Sequence, residues 1–185
     1  MNLNLNNICL DVKRDCNVIS IPDGKNFVLH SGEKIYIMQS LGGMFVVEIE
    51  NGQYARIDGK DADAIGKKIP KECKSISFEN MNKKSVKEIA WDQLKTCYDP
   101  EVPINIVELG IIYNINIPNY KKDLIEVKMT LTAPGCGMGE VLKNDIEQKL
   151  KYIPGIKKVE IEIVFDPIWT PKMMSEAARL HLGLM

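Results

Sequence analysis

The chain has 185 residues, 45% hydrophobic and 26% charged, with a formal net charge of -1 at pH 7; this is globular composition, long enough for one large or two small domains. The balanced charge gives no general attraction for nucleic acid or an anionic membrane, and no apolar run approaches the roughly 20 residues that span a bilayer. Met1-Asn2-Leu3-Asn4-Leu5-Asn6-Asn7 lacks the basic region and apolar core of a signal peptide, and five scattered cysteines without a Cys-x-x-Cys pair exclude a zinc ribbon and a redox dithiol and point to a reducing, cytoplasmic setting.

From Arg14 to Ile57 the local signals are those of strands and turns. Ile19-Ser20-Ile21-Pro22-Asp23-Gly24 reads as a short strand running into a turn. A second strand spans residues 34–39, after Ser31-Gly32, and Leu41-Gly42-Gly43 breaks the chain. Residues 44–50 form a third, and Asn51-Gly52 predicts a type I′ hairpin with residues 53–57 as the returning strand. Residues 1–82 are therefore expected as a small all-β domain, a barrel or sandwich of short strands. His30 is alone beside a turn and reads as a solvated loop histidine. The acids of Asp58-Gly59-Lys60-Asp61-Ala62-Asp63 lack the oxygen-ligand alternation of a calcium loop, so a turn with a short helix is the expectation.

The polar stretch 79–84 marks the boundary to a second domain, 83–185. Ser85-Val86-Lys87-Glu88 is a capping-box sequence, and Val86, Ile89, Ala90, Leu94 and Cys97 make one helical stripe over about 86–97. Cys97 then belongs to the core. Tyr98-Asp99-Pro100-Glu101-Val102-Pro103 stops that helix, and its two prolines predict an extended, rigid segment that fixes Asp99 and Glu101 in place. Asp99 can equally cap a helical turn over 103–108. Residues 110–117 and 124–132 read as a hairpin, 138–152 as a helix, and 159–165 as a third strand ending at Asp166-Pro167. Thr170-Pro171 opens a short final helix through Met173, Met174, Ala177, Ala178 and Leu182. The fold class is α+β: helix, strand, strand, helix, strand, helix, with helices on one face of a three-stranded mixed sheet whose last pairing is parallel.

Thr130-Leu131-Thr132-Ala133-Pro134-Gly135-Cys136-Gly137-Met138-Gly139 joins the second of these strands to the longer helix. Gly135, Gly137 and Gly139 let the backbone turn sharply and admit a close partner. A helix N-terminus directs free N–H groups and positive dipole potential toward such a loop, the setting that lowers a thiol pKa and favours thiolate. Two readings of Cys136 stay open from spacing alone: a reactive thiol or metal ligand, and a buried structural cysteine. A cysteine hydrolase would need a base, and the chain has only His30 and His181.

These motifs resemble one family, the iron–sulfur assembly domain shared by SufT-like maturation factors and the eukaryotic cytosolic iron–sulfur targeting factors. The resemblance is carried by Tyr98-Asp99-Pro100-Glu101, Ile106-Val107-Glu108-Leu109-Gly110, the loop 130–139, Phe165-Asp166-Pro167 and the tail 173–180, and in the first half by Ile21-Pro22-Asp23-Gly24, Gln39-Ser40-Leu41-Gly42-Gly43 and Asp61-Ala62-Asp63-Ala64-Ile65-Gly66. It implies an accessory factor in iron–sulfur protein maturation rather than a conventional enzyme. By resemblance Cys136 is the reactive residue and Asp99 the second functional position. Thr132, Pro134, Gly135, Gly137 and Gly139 support the loop, and Glu101 and Asp166 are further carboxylate candidates. The implied cargo is a transient iron–sulfur cluster or iron ion. The implied partners are client apoproteins and assembly scaffolds, with a homodimer as one way to complete the ligand set, since a cluster takes about four thiolate-type ligands. The alternative is a non-catalytic adaptor that docks clients to the assembly machinery.

Overall fold

The computed structural model describes residues 9–77, 84–133, 135 and 137–184. Contacts divide the chain into two compact units, Met1–Cys73 and Lys74–Met185. The boundary anticipated at 82/83 falls on residues 78–83, outside the described residues. The two hydrophobic cores have no residue in common: one is built from residues 12–65, the other from residues 89–178.

In the first unit the strands β1 (Cys9–Asp11), β2 (Cys16–Ile21), β3 (Asn26–Leu29), β4 (Lys34–Leu41), β5 (Met44–Ile49) and β6 (Tyr54–Asp58) form one antiparallel sheet. Its order is β1-β4-β5-β6-β2-β3, so among the described residues the strands form one open sheet rather than the barrel or sandwich expected. Alternation places Ile35, Ile37, Val47, Ile49, Ala55 and Ile57 on the core face. The hairpin at Asn51-Gly52 is present but longer than a two-residue turn. Ile49 N–H donates to Gln53 O, Gly52 N–H donates to Ile49 O, and Gly52 takes φ 79°, which makes a three-residue loop. The acidic stretch is a 3-10 segment, Gly59–Ile65, started by Asp58, whose carboxylate accepts from Lys60 N–H. Its acids already hold a cation: Arg14 reaches Asp61 at 2.9 Å and Asp63 at 2.7 Å.

The second unit opens with α1 (Val86–Leu94). Its capping box is complete, with Ser85 Oγ accepting from Glu88 N–H at 3.3 Å and Glu88 Oε2 accepting from Ser85 N–H at 2.7 Å. Strands β7 (Ile112–Asn116) and β8 (Leu124–Met129) pair antiparallel, α2 (Gly139–Lys151) crosses over, and β9 (Lys158–Ile163) pairs parallel to β8. Ile89 and Leu94 of α1 and Leu142, Ile146 and Leu150 of α2 join Ile115, Ile125, Val127 and Met129 in one core. The opposite sheet face carries Asn114, Asn116, Glu126, Lys128, Glu160 and Glu162 around an open polar cleft. This is the α+β arrangement expected.

The C-terminal region is not one helix. Pro171–Met173 is a 3-10 turn, Met174 is extended at φ -66°, ψ 152°, and Ser175 starts α3 (Glu176–His181) by accepting from Ala178 N–H. Residues 164–175 form a strap over the segment that leads into β7. Trp169 Nε1–H donates to Leu109 O at 2.9 Å, Tyr113 O–H to Pro167 O at 2.8 Å, and Ser175 N–H to Glu108 O at 2.9 Å. Gly110, at φ 69°, lies so close that a Cβ there would stand 2.1 Å from Met173 O.

Candidate functional site

The proline-bearing segment after α1 is curled rather than extended. Ile106 N–H donates to Cys97 O at 2.9 Å, Asp99 N–H to Ile104 O at 3.2 Å, and Tyr98 and Asn105 form an isolated antiparallel bridge. Those bonds close 98–105 into a compact loop on a core floor that includes Cys97, which is fully buried. Two side chains cap it from within. Asp99 Oδ1 accepts from Glu101 N–H at 2.8 Å and Val102 N–H at 3.0 Å, while Asn105 Oδ1 accepts from Val107 and Glu108 N–H. Asn105, not Asp99, therefore starts the 103–108 turn. The two prolines stiffen the loop, but the local carboxylate and amide acceptors outweigh their extended preference.

Asp99 is half-buried, and removal from water raises its pKa above the ordinary carboxylate value; the two backbone N–H groups oppose that rise without cancelling it. Among the described residues its second oxygen, Oδ2, accepts no hydrogen bond.

On the other side, Thr130 ends the central strand, its N–H donating to Ile111 O at 2.9 Å. The chain runs out through exposed Thr132 and Ala133, passes Gly135 at φ 79° and exposed Gly137, then dives inward at Met138, which is 3% exposed. Met138 is the N-cap of α2 and contributes no side-chain hydrogen bond. The first-turn N–H donors of α2 are thus left without a side-chain cap at that point. Gly139 packs tightly, since a Cβ there would sit 2.9 Å from Leu131 Cδ1. Pro134 and Cys136 lie outside the described residues.

The two segments meet. Asp99 and Pro100 from one side and Thr132, Met138 and Gly139 from the other wall a crevice whose apolar lining is Ile111, Leu131 and Leu142. Its volume is about 10 Å³, room for about one water. Of the carboxylates singled out in the sequence, Asp99 lines the crevice; Glu101 and Asp166 are exposed and lie outside its lining. Thr132 and Gly139 line it as well, whereas Gly135 and Gly137 shape the loop without lining it. His30 lies in the first unit at 3.3 Å from Asp15, and His181, exposed on α3, is not among the residues that line the crevice. Among the described residues no group of three or more His, Cys, Asp or Glu is placed to hold a metal ion. Sequence reasoning overlooked Met138 and Leu142, although their spacing of four on one helix face is the signal that carries them inward together.

Comparison with known proteins locates this architecture. Residues 87–163 match the family described as iron–sulfur cluster assembly protein. The chain is 41% identical over 92 residues to an Fe-S protein maturation auxiliary factor of Porphyromonas gingivalis, covering 50% of this chain and 86% of that protein. It is 41% identical over 86 residues to the Fe-S protein maturation auxiliary factor SufT of Staphylococcus aureus, covering 46% of this chain and 96% of that protein. The crystal structure of a domain of unknown function, DUF59, from Bacillus anthracis superimposes with a TM-score of 0.50 at 27% identity, covering 54% of this chain and 93% of that one.

Proposed function

The chain belongs to the family of iron–sulfur cluster assembly proteins, and from that premise we propose that it is an accessory factor in iron–sulfur protein maturation, holding iron or a cluster transiently at Cys136 and passing it to a client. The observation that carries this reading is the crevice, which brings Asp99 against Thr132, Met138 and Gly139, the residues that bracket Cys136 in sequence.

The chemistry follows from the parts. In sequence Cys136 precedes the start of α2 by three residues, and a helix N-terminus is a setting that favours thiolate, the form that binds iron. Asp99 is fixed by its own loop through Oδ1 and keeps Oδ2 for an oxygen–iron bond or for orienting a water. Burial raises the pKa of Asp99, so iron binding at this carboxylate competes with a proton more than at an ordinary one. A cluster takes about four thiolate-type ligands, and Cys136 with Asp99 is an incomplete set. The missing ligands come from the client, a small thiol or a second copy of the chain, and this incompleteness makes the cargo transferable. Client apoproteins and assembly scaffolds are the partners, no turnover chemistry is required of the chain, and the setting is cytoplasmic; among the described residues no helix is long and apolar enough to cross a membrane.

The test is anaerobic reconstitution with ferrous iron and sulfide of the wild type, Cys136→Ala and Asp99→Asn, reading iron and sulfide per chain. Cys136→Ala should lose most of the bound iron and Asp99→Asn a part of it. Equal iron and sulfide in all three would end the reading.

A second reading, an adaptor that docks clients, draws on exposed apolar side chains late in the chain: Phe165, Ile168, Leu180 and Leu184. Co-purification separates the two. An adaptor loses clients on Ile168→Glu and keeps full function with Cys136→Ala; a carrier keeps its clients and loses function with Cys136→Ala.

A further inference from the structure

One wall of the crevice that brings Asp99 to the cysteine loop hinges on a glycine. Ile111 lines the crevice, and the residue before it, Gly110, turns the chain at φ 69°. Glycine takes positive and negative φ about equally well, so nothing intrinsic to Gly110 holds Ile111 in place. The bonds beyond the hinge are unequal. Ile111 N–H reaches Ile106 O at 3.3 Å, long for such a bond, whereas Ile111 O accepts from Thr130 N–H at 2.9 Å. The wall and the root of the cysteine loop are thereby tied to each other more firmly than to the turn behind them. A crevice of about 10 Å³ has little tolerance for a shift of that wall.

The chain just ahead of the hinge is fixed from 60 residues away. Trp169 Nε1–H donates to Leu109 O at 2.9 Å, and the indole ring is half-buried against the core cluster to which Leu109, Ile111 and Leu142 belong. Leu109 is 1% exposed, a position where a lost donor is poorly replaced by water.

The strap that carries Trp169 does not depend on this bond for its attachment. Val164 N–H donates to Met129 O at 2.8 Å at one end, Ser175 N–H to Glu108 O at 2.9 Å at the other, and Tyr113 O–H to Pro167 O between them. What the indole adds is a grip on Leu109 O, two residues from the crevice wall.

We propose that Trp169 is a positioning residue of the crevice: by holding Leu109 O it steadies Gly110, keeps Ile111 and the Thr130 root of the cysteine loop against Asp99, and so slows the escape of iron held there. The proposal rests on the reading of the crevice as an iron-holding site. Trp169 acts through Leu109 and takes no part in binding the cargo itself.

The experiment compares wild type, Trp169→Phe and Trp91→Phe as full chains. Trp169→Phe keeps an aromatic ring and removes the donor. Trp91 of α1 is half-buried against the same core and, among the described residues, makes no bond to residues 108–111, so it is the control for a merely structural loss. Amide hydrogen exchange of the iron-free proteins, read by NMR, should be about tenfold faster at Thr130 in Trp169→Phe, the effect of losing one buried hydrogen bond, with Ile146 in the middle of α2 nearly unchanged. A general loss of stability would move both amides together, and Trp91→Phe should leave their ratio at the wild-type value. After anaerobic loading with ferrous iron, release to excess chelator should likewise be about tenfold faster for Trp169→Phe and unchanged for Trp91→Phe. Parallel rises at Thr130 and Ile146, a Thr130 rate equal to wild type, or iron release as slow as wild type would each overturn the proposal. A wild type that takes up no iron overturns the carrier reading instead, and Thr130 exchange then decides whether the indole holds the crevice wall. If Trp169→Phe fails to fold, replacing Trp169 by benzothienylalanine, which swaps the N–H for sulfur in a ring of the same shape, decides on the same readouts.

Discussion

Asp99 commits one carboxylate oxygen to its own loop while the residue lines the crevice, and its hydrogen bonds and its burial have opposite consequences for stability. The loop needs only an acceptor at Oδ1, which an asparagine amide also supplies. Burial of the charge is a cost, because the folded state holds the Asp99 proton more tightly than the unfolded state does. With the folded pKa above the unfolded one, stability falls as pH rises from about 4 through the raised pKa. Asp99→Asn should therefore melt higher than wild type at pH 7, by about 2–4 °C for each kcal/mol recovered, and show no gain at pH 3; calorimetry at both values checks the sign. Gly139→Ala isolates the crevice from the fold. The intruding methyl meets only the tip of Leu131, so the melting temperature should stay within about 2–4 °C of wild type while iron uptake drops. The sequence singled out Asp99 as a site candidate through the family resemblance of its Asp-Pro-Glu turn, but the curled loop that holds it was not legible. The bonds that close the loop, Tyr98 with Asn105 and Cys97 with Ile106, join residues whose identities announce nothing.

Helix and turn chemistry was most legible where it is local. Ser85 and Glu88 predict the capping box that α1 has, and Ser85→Ala should cost about 1 kcal/mol in chemical denaturation with little change in slope. The strands that escaped notice, β1 and β3, are three and four residues long and lie at the two edges of their sheet, where partners rather than pattern define them. The final helix was misread because Met173, Met174 and Ala177 keep helical spacing, whereas Ser175 recruits Ala178 N–H and restarts the helix after an extended Met174. Strap and β7 entry meet at Gly110, where positive φ and the Met173 carbonyl coincide. Gly110→Ala should cost about 2–3 kcal/mol. Gly155→Ala, at φ 89° with open space around it, should cost clearly less, and paired melting curves measure how much of the loss comes from the carbonyl contact.

At the scale of the molecule, the two cores are built from separate stretches of chain, and the matched region lies wholly in the second. The Staphylococcus aureus relative is covered over 96% of its length by 86 residues of this chain, so that protein is no longer than one such unit. A fragment of residues 74–185 should accordingly fold by itself, with a cooperative melt and the near-ultraviolet dichroism of packed Trp91 and Trp169; a broad, probe-dependent transition would contradict this. The second unit was legible almost whole because hairpin, crossover helix and parallel return leave few topologies open. The first was legible as strands but not as one sheet, since pairings such as β2 with β6 and β1 with β4 skip over intervening strands. The meeting of Gly110 with Met173 reaches into recombination between relatives. A crossover placed after β9 would import a foreign strap against a native 108–113 segment, and that strap would have to seat its own carbonyl on Gly110 and remake the bonds to Leu109 O, Tyr113 and Glu108 O. Viable chimeras of this domain must inherit those two segments together, as a single heritable block although more than fifty residues apart.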